Sequence, residues 1–434
     1  MVTFMEYLTE DAKAILLLCG RFSGDKGVNA EKPLSLAEYN RIADWMVDRK
    51  MRPADLLASP LDCQALDGSL QIDCRRIQQL LARGAAMALA VEKWTHNGIW
   101  IVCRSDVAYP QRLKKHLGRQ APPVLFGVGD SGLLNLGGLA IVGSRNVDAE
   151  GEVFTRMAAQ TCARDGLPVV SGGARGVDQT AMLSALETGG KVVGVLADSL
   201  QKAALTGKYR TGIREKRLAL VSPFHPDARF NVGNAMGRNK YIYALSDFAL
   251  IISAEVKKGG TWAGATEELK RTSARPVFVR TAEAVPQGNR DLMGLGARPF
   301  PPPPWDTNLK NLLSQAKVTS QKNRTPLQQS LFGGDVQPVE AEMVKEDLRS
   351  YPEVMEKHPP PSYPAQEHHE SKGLPKIYDI VRPVILGAMA DWISAAELAE
   401  KLNVHKGQLE DWLKQAVKDA VIEKKSRPVR YRRK

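Results

Sequence analysis

The sequence predicts an α/β protein built on a doubly wound parallel sheet, with a helical region before it and a winged helix after it. Two observations carry the sheet. Short unbroken apolar runs alternate with amphipathic stretches between residues 138 and 280, the pattern of strands buried on both faces between helices. Two of those runs also end in glycine-rich polar turns, Gly143-Ser144-Arg145 and Ser171-Gly172-Gly173-Ala174-Arg175-Gly176-Val177-Asp178. Parallel strands joined by helices put such turns at the carboxyl edge of the sheet, where helix N-termini offer unpaired N–H groups to an anion.

Residues 1–118 form a mainly helical N-terminal domain by pattern. Ala12, Ile15, Leu16 and Cys19 recur at helical spacing, as do Ile42, Trp45 and Met46. Ser35 followed by Glu38 makes a capping box for a helix starting at Leu36. No constellation of catalytic groups stands out in this region. Ile99–Cys103 has the pattern of a short strand, Arg112–His116 that of a basic helix. The prolines of Ala121-Pro-Pro-Val-Leu-Phe-Gly127 mark extended chain entering the next domain.

The α/β domain is expected over 119–300. Its strands are predicted at Leu139–Gly143, Leu167–Ser171, Lys191–Leu196, Leu218–Ser222, Phe248–Ile252 and Pro276–Val279, with helices starting near Glu150, Val177, Gly237 and Trp262. A linker rich in Pro, Gln, Glu and Lys follows over 301–374, with a short helix around Leu309, Leu312 and Leu313. Residues 375–434 fold again. Ser394 and Glu397 repeat the capping-box pattern, a helix-turn-helix spans Leu398–Val417, and a basic tail suits a β-wing.

Composition narrows the class. The 434 residues are 43% hydrophobic and 25% charged with a net charge of +12, which favours an anionic partner. The five scattered cysteines have no paired metal spacing and read as reduced thiols of a cytoplasmic protein. No secretory signal is recognisable at Met1–Lys13, and no run of about 18 apolar residues predicts a membrane span.

The motifs point to phosphate. Glycines 172, 173 and 176 let backbone approach a ligand, and Arg145 and Arg175 pair with phosphate oxygens. Asp178 stands where it caps the following helix. Arg238-Asn239-Lys240 adds two cations and an amide at a predicted helix start, and Gly259-Gly260-Thr261 a further turn beside Lys257 and Lys258. The dinucleotide fingerprint and the Walker pattern are both missing, and Lys208 lacks the loop of a triphosphate site. No catalytic residue, metal site or cofactor is expected; His358, His368 and His369 lack metal-site spacing.

Taken together these turns resemble the DprA/Smf family of DNA-processing proteins, whose G-S-R turn, S-G-x-A-x-G-[IV]-D loop, R-N-R segment and late S-G-[ST] turn mark a Rossmann-like domain. Asp106-x-x-Tyr109-Pro110 and Pro123-Val-Leu-Phe126-Gly resemble the family's lead-in, and the terminal winged helix its common appendage. The resemblance runs from about residue 90 to 280. It implies single-stranded DNA binding without catalysis, in a basic pocket, by a homodimer that hands DNA to a RecA-type recombinase during transformation. Carried over, the phosphate-binding set is Gly143, Ser144, Arg145, Ser171, Gly172, Gly173, Arg175, Gly176, Arg238, Asn239, Lys240, Gly259, Gly260 and Thr261.

The chain also departs from the family. Met182 stands where a histidine is usual, Ala197–Lys208 replaces a glycine-rich segment ending in Tyr-Pro, and Ser253-Ala-Glu255 replaces Val-Glu-Ala. A divergent member acting in DNA uptake, recombination or phage defence fits these changes. The alternative is a nucleotide-sensing or nucleotide-cleaving Rossmann-like enzyme, because Gly259-Gly-Thr261 with Glu267 or Glu268 resembles a phosphoribohydrolase loop.

Two outlying segments are candidates for contacts of their own. Lys424, Lys425, Arg427, Arg430, Arg432 and Arg433 around Tyr431 suit phosphate pairing and base stacking. Gln328, Ser330, Leu331 and Phe332 in the linker resemble the Q-x-[SD]-L-F peptide that docks on the replication sliding clamp.

Overall fold

One nine-stranded sheet organises the computed structural model, which describes residues 8–22, 31–58, 72–282, 285–322, 377–389, 391–402, 404, 406–426 and 429–433. The strands are β1 Trp100–Cys103, β2 Val124–Gly129, β3 Leu139–Val142, β4 Val169–Ser171, β5 Val192–Val195, β6 Leu218–Ser222, β7 Phe248–Ile251, β8 Val277–Val279 and β9 Arg298–Pro299. Their order is β1-β2-β6-β5-β4-β3-β7-β8-β9. From β6 to β9 all pairings are parallel, while β2 runs antiparallel to β6 and β1 to β2. The chain winds outward from β3 through β4, β5 and β6, then returns to β7 on the other side of β3. The ends of β3 and β7 are therefore the topological switch point, the crevice where open α/β sheets bind ligands.

The predicted strands match to within a residue or two because each is a run of β-branched and small apolar residues with no exposed face. All residues of β3, β5, β6 and β7 are buried. The segment that the prolines mark as extended contributes β2 instead of a mere lead-in. Its partner β1 brings the sheet's start forward to Trp100, ahead of the expected boundary at 118.

The N-terminal helices α1 Glu10–Cys19, α2 Leu36–Asp48, α3 Asp55–Ala58, α4 Cys74–Leu81 and α5 Gly84–His96 share a core with one face of the sheet. Trp94 of α5 meets Phe126 of β2 edge to face with ring centroids 5.0 Å apart. They are thus not an independent domain. The capping box on α2 is complete: Ser35 Oγ accepts from the Glu38 amide and the Glu38 carboxylate accepts from the Ser35 amide. Cys19, Cys103 and Cys162 are free thiols, whereas Cys74 is disulfide-bonded, which corrects the expectation that every thiol is reduced.

The remaining helices of the sheet unit are α6 Gln111–Leu117, α7 Ala149–Arg164, α8 Val177–Glu187, α9 Leu200–Ala204, α10 Gly207–Arg214, α11 Val232–Leu245, α12 Gly259–Leu269, α13 Gln287–Gly294 and α14 Leu309–Lys322. Helix α11 starts five residues before the expected Gly237. Asn231 caps it by accepting from the amides of Gly233 and Asn234, so glycines 233 and 237 lie within the helix. Leu309 and Leu313 of α14 are fully buried, so the start of the expected linker belongs to the core.

After the undescribed 323–376, helices α15 Ile377–Ala388, α16 Ala395–Leu402 and α17 Lys406–Lys418 precede an antiparallel hairpin of β10 Ile422–Ser426 and β11 Val429–Arg433. Leu398, Leu409, Leu413 and Tyr431 pack in a core of their own. The reciprocal Ser394–Glu397 bonds expected at the start of α16 are present.

Candidate nucleic-acid interface

Three of the glycine-rich segments meet at the carboxyl edge of the sheet. The turn after β3 is tied to the end of β7 by the Ser144 amide, which donates to the Ser253 carbonyl at 3.0 Å. At Gly172, after β4, a Cβ would sit 1.4 Å from Arg238 Nη1, so only glycine lets the turn pass over that guanidinium. Gly176 has a φ of +82° and would press a Cβ against the Arg145 carbonyl at 2.6 Å.

Beneath the turns lies a buried ion pair. Arg238 of α11 is 5% exposed, and its Nη1 is 3.7 Å from Asp178 Oδ2. Asp178 is not the cap of α8, a place taken by Gly176. The backbone of Ala174, Gly143 and Gly172 lies close enough to its carboxylate to favour the charged form. Burial pushes the Asp178 carboxyl up, against the opposing pull of Arg238 and those amides. Burial likewise lowers Arg238, and Asp178 works the other way. Arg238 Nε and Nη1 have no hydrogen-bond partner.

Two cavities open above this pair. The first, about 460 Å³, lies at the switch point between the ends of β3 and β7 and is bordered by the first turn of α12. The second, about 560 Å³, lies over the ends of β4 and β5. Arg145, Phe230, Ala235 and Arg238 border both. Arg145 is exposed with its guanidinium 4.8 Å from the ring centre of Phe230, and Phe230 itself is 52% exposed. Arg175 is exposed and donates to Asn146 Oδ1 at 3.0 Å. Among the described residues neither Arg145 nor Arg175 has a carboxylate partner. An exposed aromatic ring beside a guanidinium group without a carboxylate partner can stack a base while the cations of the cavity hold the phosphates beside it.

The predicted site residues separate into groups. Gly143, Ser144, Arg145, Arg238, Asn239, Gly259, Gly260 and Thr261 line the first cavity, and Gly172, Gly173 and Arg175 the second. Asn239 acts on α12, donating to the Gly260 carbonyl at 2.7 Å. Gly259–Thr261 is the opening turn of that helix and not a separate loop. Ser171 falls outside the expected role: it is fully buried and its hydroxyl donates to the Ile141 carbonyl at 2.6 Å. Lys240, two residues beyond Arg238 on α11, lines neither cavity and faces Glu267 and Arg271. Phe230 carries no motif, and a lone aromatic in a polar loop gives no signal in sequence.

The glutamates of the enzyme alternative also point elsewhere. Glu268 is 1% exposed and lies 3.0 Å from His116 Nε2, while Glu267 accepts from Arg271 at 2.8 Å. Neither borders either of the two cavities. No group of three or more His, Cys, Asp or Glu able to hold a metal occurs among the described residues, and no described helix is long and apolar enough to cross a membrane.

At the C-terminal hairpin two arginines are engaged. Arg432 donates to Glu423 at 3.0 Å and lies 4.9 Å from the ring centre of Trp392. Arg430 donates to the Trp392 carbonyl and sits 3.8 Å from Glu397. Tyr431 is 5% exposed, turned into the local core, so the expected base stacking by it is not available. Lys424 and Lys425 pair in register with Tyr431 and Arg430, and Arg433 ends β11. Arg427 and the peptide residues Gln328, Ser330, Leu331 and Phe332 lie outside the described residues.

The family model for DNA recombination-mediator protein A matches residues 100–303. Protein Smf of Escherichia coli is 33% identical over 140 residues, 32% of this chain and 37% of that protein. DNA processing protein DprA of Bacillus subtilis is 28% identical over 168 residues, 38% of this chain and 56% of that protein. The chain thus spans less than two thirds of either relative. In fold it is similar to the X-ray structure of DprA from Streptococcus pneumoniae, with a TM-score of 0.52 and 19% identity over 68% of this chain and 95% of the other. Over residues 100–303, the part that holds the two cavities, the chain matches the DprA/Smf family of DNA-processing proteins.

Proposed function

We propose that the protein binds single-stranded DNA without catalysing a reaction on it, and passes the strand to a RecA-type recombinase in DNA uptake, recombination or phage defence. The observation that carries this reading is exposed Arg145 against exposed Phe230, on a cavity that Arg175 also borders, with no carboxylate partner for either arginine among the described residues. Cations beside an open aromatic face suit a backbone whose bases are unstacked, because a duplex keeps its bases inside. Contacts of this kind position a strand and read little sequence. The protein acts as a cytoplasmic homodimer in this reading. The C-terminal helices and hairpin serve as a winged helix giving auxiliary contacts, and Gln328–Phe332 serves as a tether to the sliding clamp.

Fluorescence anisotropy with single-stranded, duplex and forked oligonucleotides at two salt concentrations tests the core of the proposal. Single strands are expected to bind tightest, with affinity falling steeply as salt rises. Arg145→Ala is expected to cost about 2 kcal/mol, the scale of a charged hydrogen bond. Equal affinity for duplex and single strand, or an unaltered Arg145→Ala protein, would refute it.

A further inference from the structure

The segment in which this chain departs from its family, Ala197–Lys208, forms one wall of the second cavity. It folds as α9 and the start of α10, entered through Ser199 at a φ of +52°. Lys202 and Lys208 are both exposed on that wall, facing the cavity that Arg145 and Arg175 border from the other side. Among the described residues no carboxylate pairs with any of these four cations. Asp198 is the one carboxylate among the cavity's described lining residues. A cation excess this large around one concavity repels itself unless anions enter.

The wall is fixed in place, and fixed to the aromatic. The Ser199 amide donates to the Ala228 carbonyl at 2.8 Å and the Gln201 amide to the Pro226 carbonyl at 3.0 Å. These bonds tie α9 to the loop that ends in Phe230. Lys202 and the proposed stacking ring therefore lie on connected segments that line the same cavity.

We infer that Lys202 and Lys208 make the second cavity an additional phosphate subsite, which receives the next phosphates of the strand whose base stacks on Phe230. The inference rests on the strand-binding reading above. The strand crosses the Arg145–Phe230 ridge that separates the cavities, with one phosphate at the switch point and the following ones over β4 and β5. Such a subsite lengthens the footprint and adds to the salt dependence without adding sequence preference.

The test is the salt dependence of binding of an oligothymidylate of about twelve nucleotides, within the usual site sizes for single strands, to the full chain. The Lys202→Gln/Lys208→Gln double variant is compared with wild type and with Arg145→Ala. Removing two phosphate contacts is expected to make the log–log slope shallower by about 1.4 and to weaken binding about tenfold at low salt. Both side chains are exposed, so the thermal midpoint stays where it was. A double variant with wild-type slope and affinity, while Arg145→Ala still loses binding, overturns the second subsite and leaves the parent reading intact. No binding by wild type removes both. Inorganic pyrophosphate supplies the last arm: heat of binding that depends on Lys202 and Lys208, with an unaltered oligonucleotide slope, assigns the cavity to a free phosphate compound and overturns its role in strand binding.

Discussion

The molecule carries two basic regions, and they use their charge in opposite ways. At the sheet edge Arg145, Arg175, Lys202 and Lys208 have no carboxylate partner among the described residues, and glycine turns hold the backbone around them. At the hairpin, where the sequence is far denser in cations, the arginines are the engaged ones: Arg432 pairs with Glu423, Arg430 approaches Glu397, and Tyr431 is buried, while Lys424 and Lys425 are exposed. A run of charges in a sequence is therefore a poor measure of charge available to a ligand. What counts is whether the fold supplies acidic neighbours. The sheet edge supplies few because its turns leave little room for any side chain.

The sharpest way to break the comparison is to remove the acid that organises the sheet edge. Asp178→Ala leaves Arg238 as a buried cation without its partner. Breaking a buried pair in this way costs about 3–5 kcal/mol, so chemical denaturation is expected to show a large loss of stability. DNA binding should fall with it, since Arg238 lies directly under the Gly172 turn and borders both cavities. A variant that keeps wild-type stability means that the pair does not hold the turns together. Phe230→Ala comes next. Stacking of a base on an aromatic ring is worth about 1–3 kcal/mol, and the ring is half exposed, so binding is expected to weaken with no change in thermal midpoint. Quenching of fluorescent base analogues should disappear in the same variant. Unchanged binding would leave the cations without their aromatic and make the edge a plain phosphate cradle.

Much of this was legible in the sequence, for a physical reason. Strands buried on both faces are uninterrupted apolar runs, and turns that approach another chain closely are glycine, so β3, β4 and their turns announce themselves. Residues whose role depends on distant neighbours do not. Ser171 looks like a phosphate ligand until its hydroxyl is found on the Ile141 carbonyl. Lys240 looks like a partner of Arg238 until α11 is seen to start at Val232, which turns the two side chains to different faces. Phe230 gains its significance only from the Arg145 ring contact. The Arg238–Asp178 pair joins residues 60 positions apart, beyond the reach of any spacing rule.

The smallest expected effect falls on the hairpin and sharpens the comparison most. Glu423→Gln removes the acceptor charge that Arg432 engages, where both side chains are roughly half exposed. Exposed pairs of this kind contribute about 0–1 kcal/mol, so stability should hardly change. If pairing is what withholds the hairpin's cations from DNA, releasing Arg432 should tighten binding a few-fold at low salt, and the gain should fade as salt screens it. Arg432→Ala in the same background should cancel the gain. A Glu423→Gln protein that binds like wild type at every salt concentration would show that the hairpin stays away from the strand even with its charge released. The +12 net charge of the chain would then act on DNA through the sheet edge.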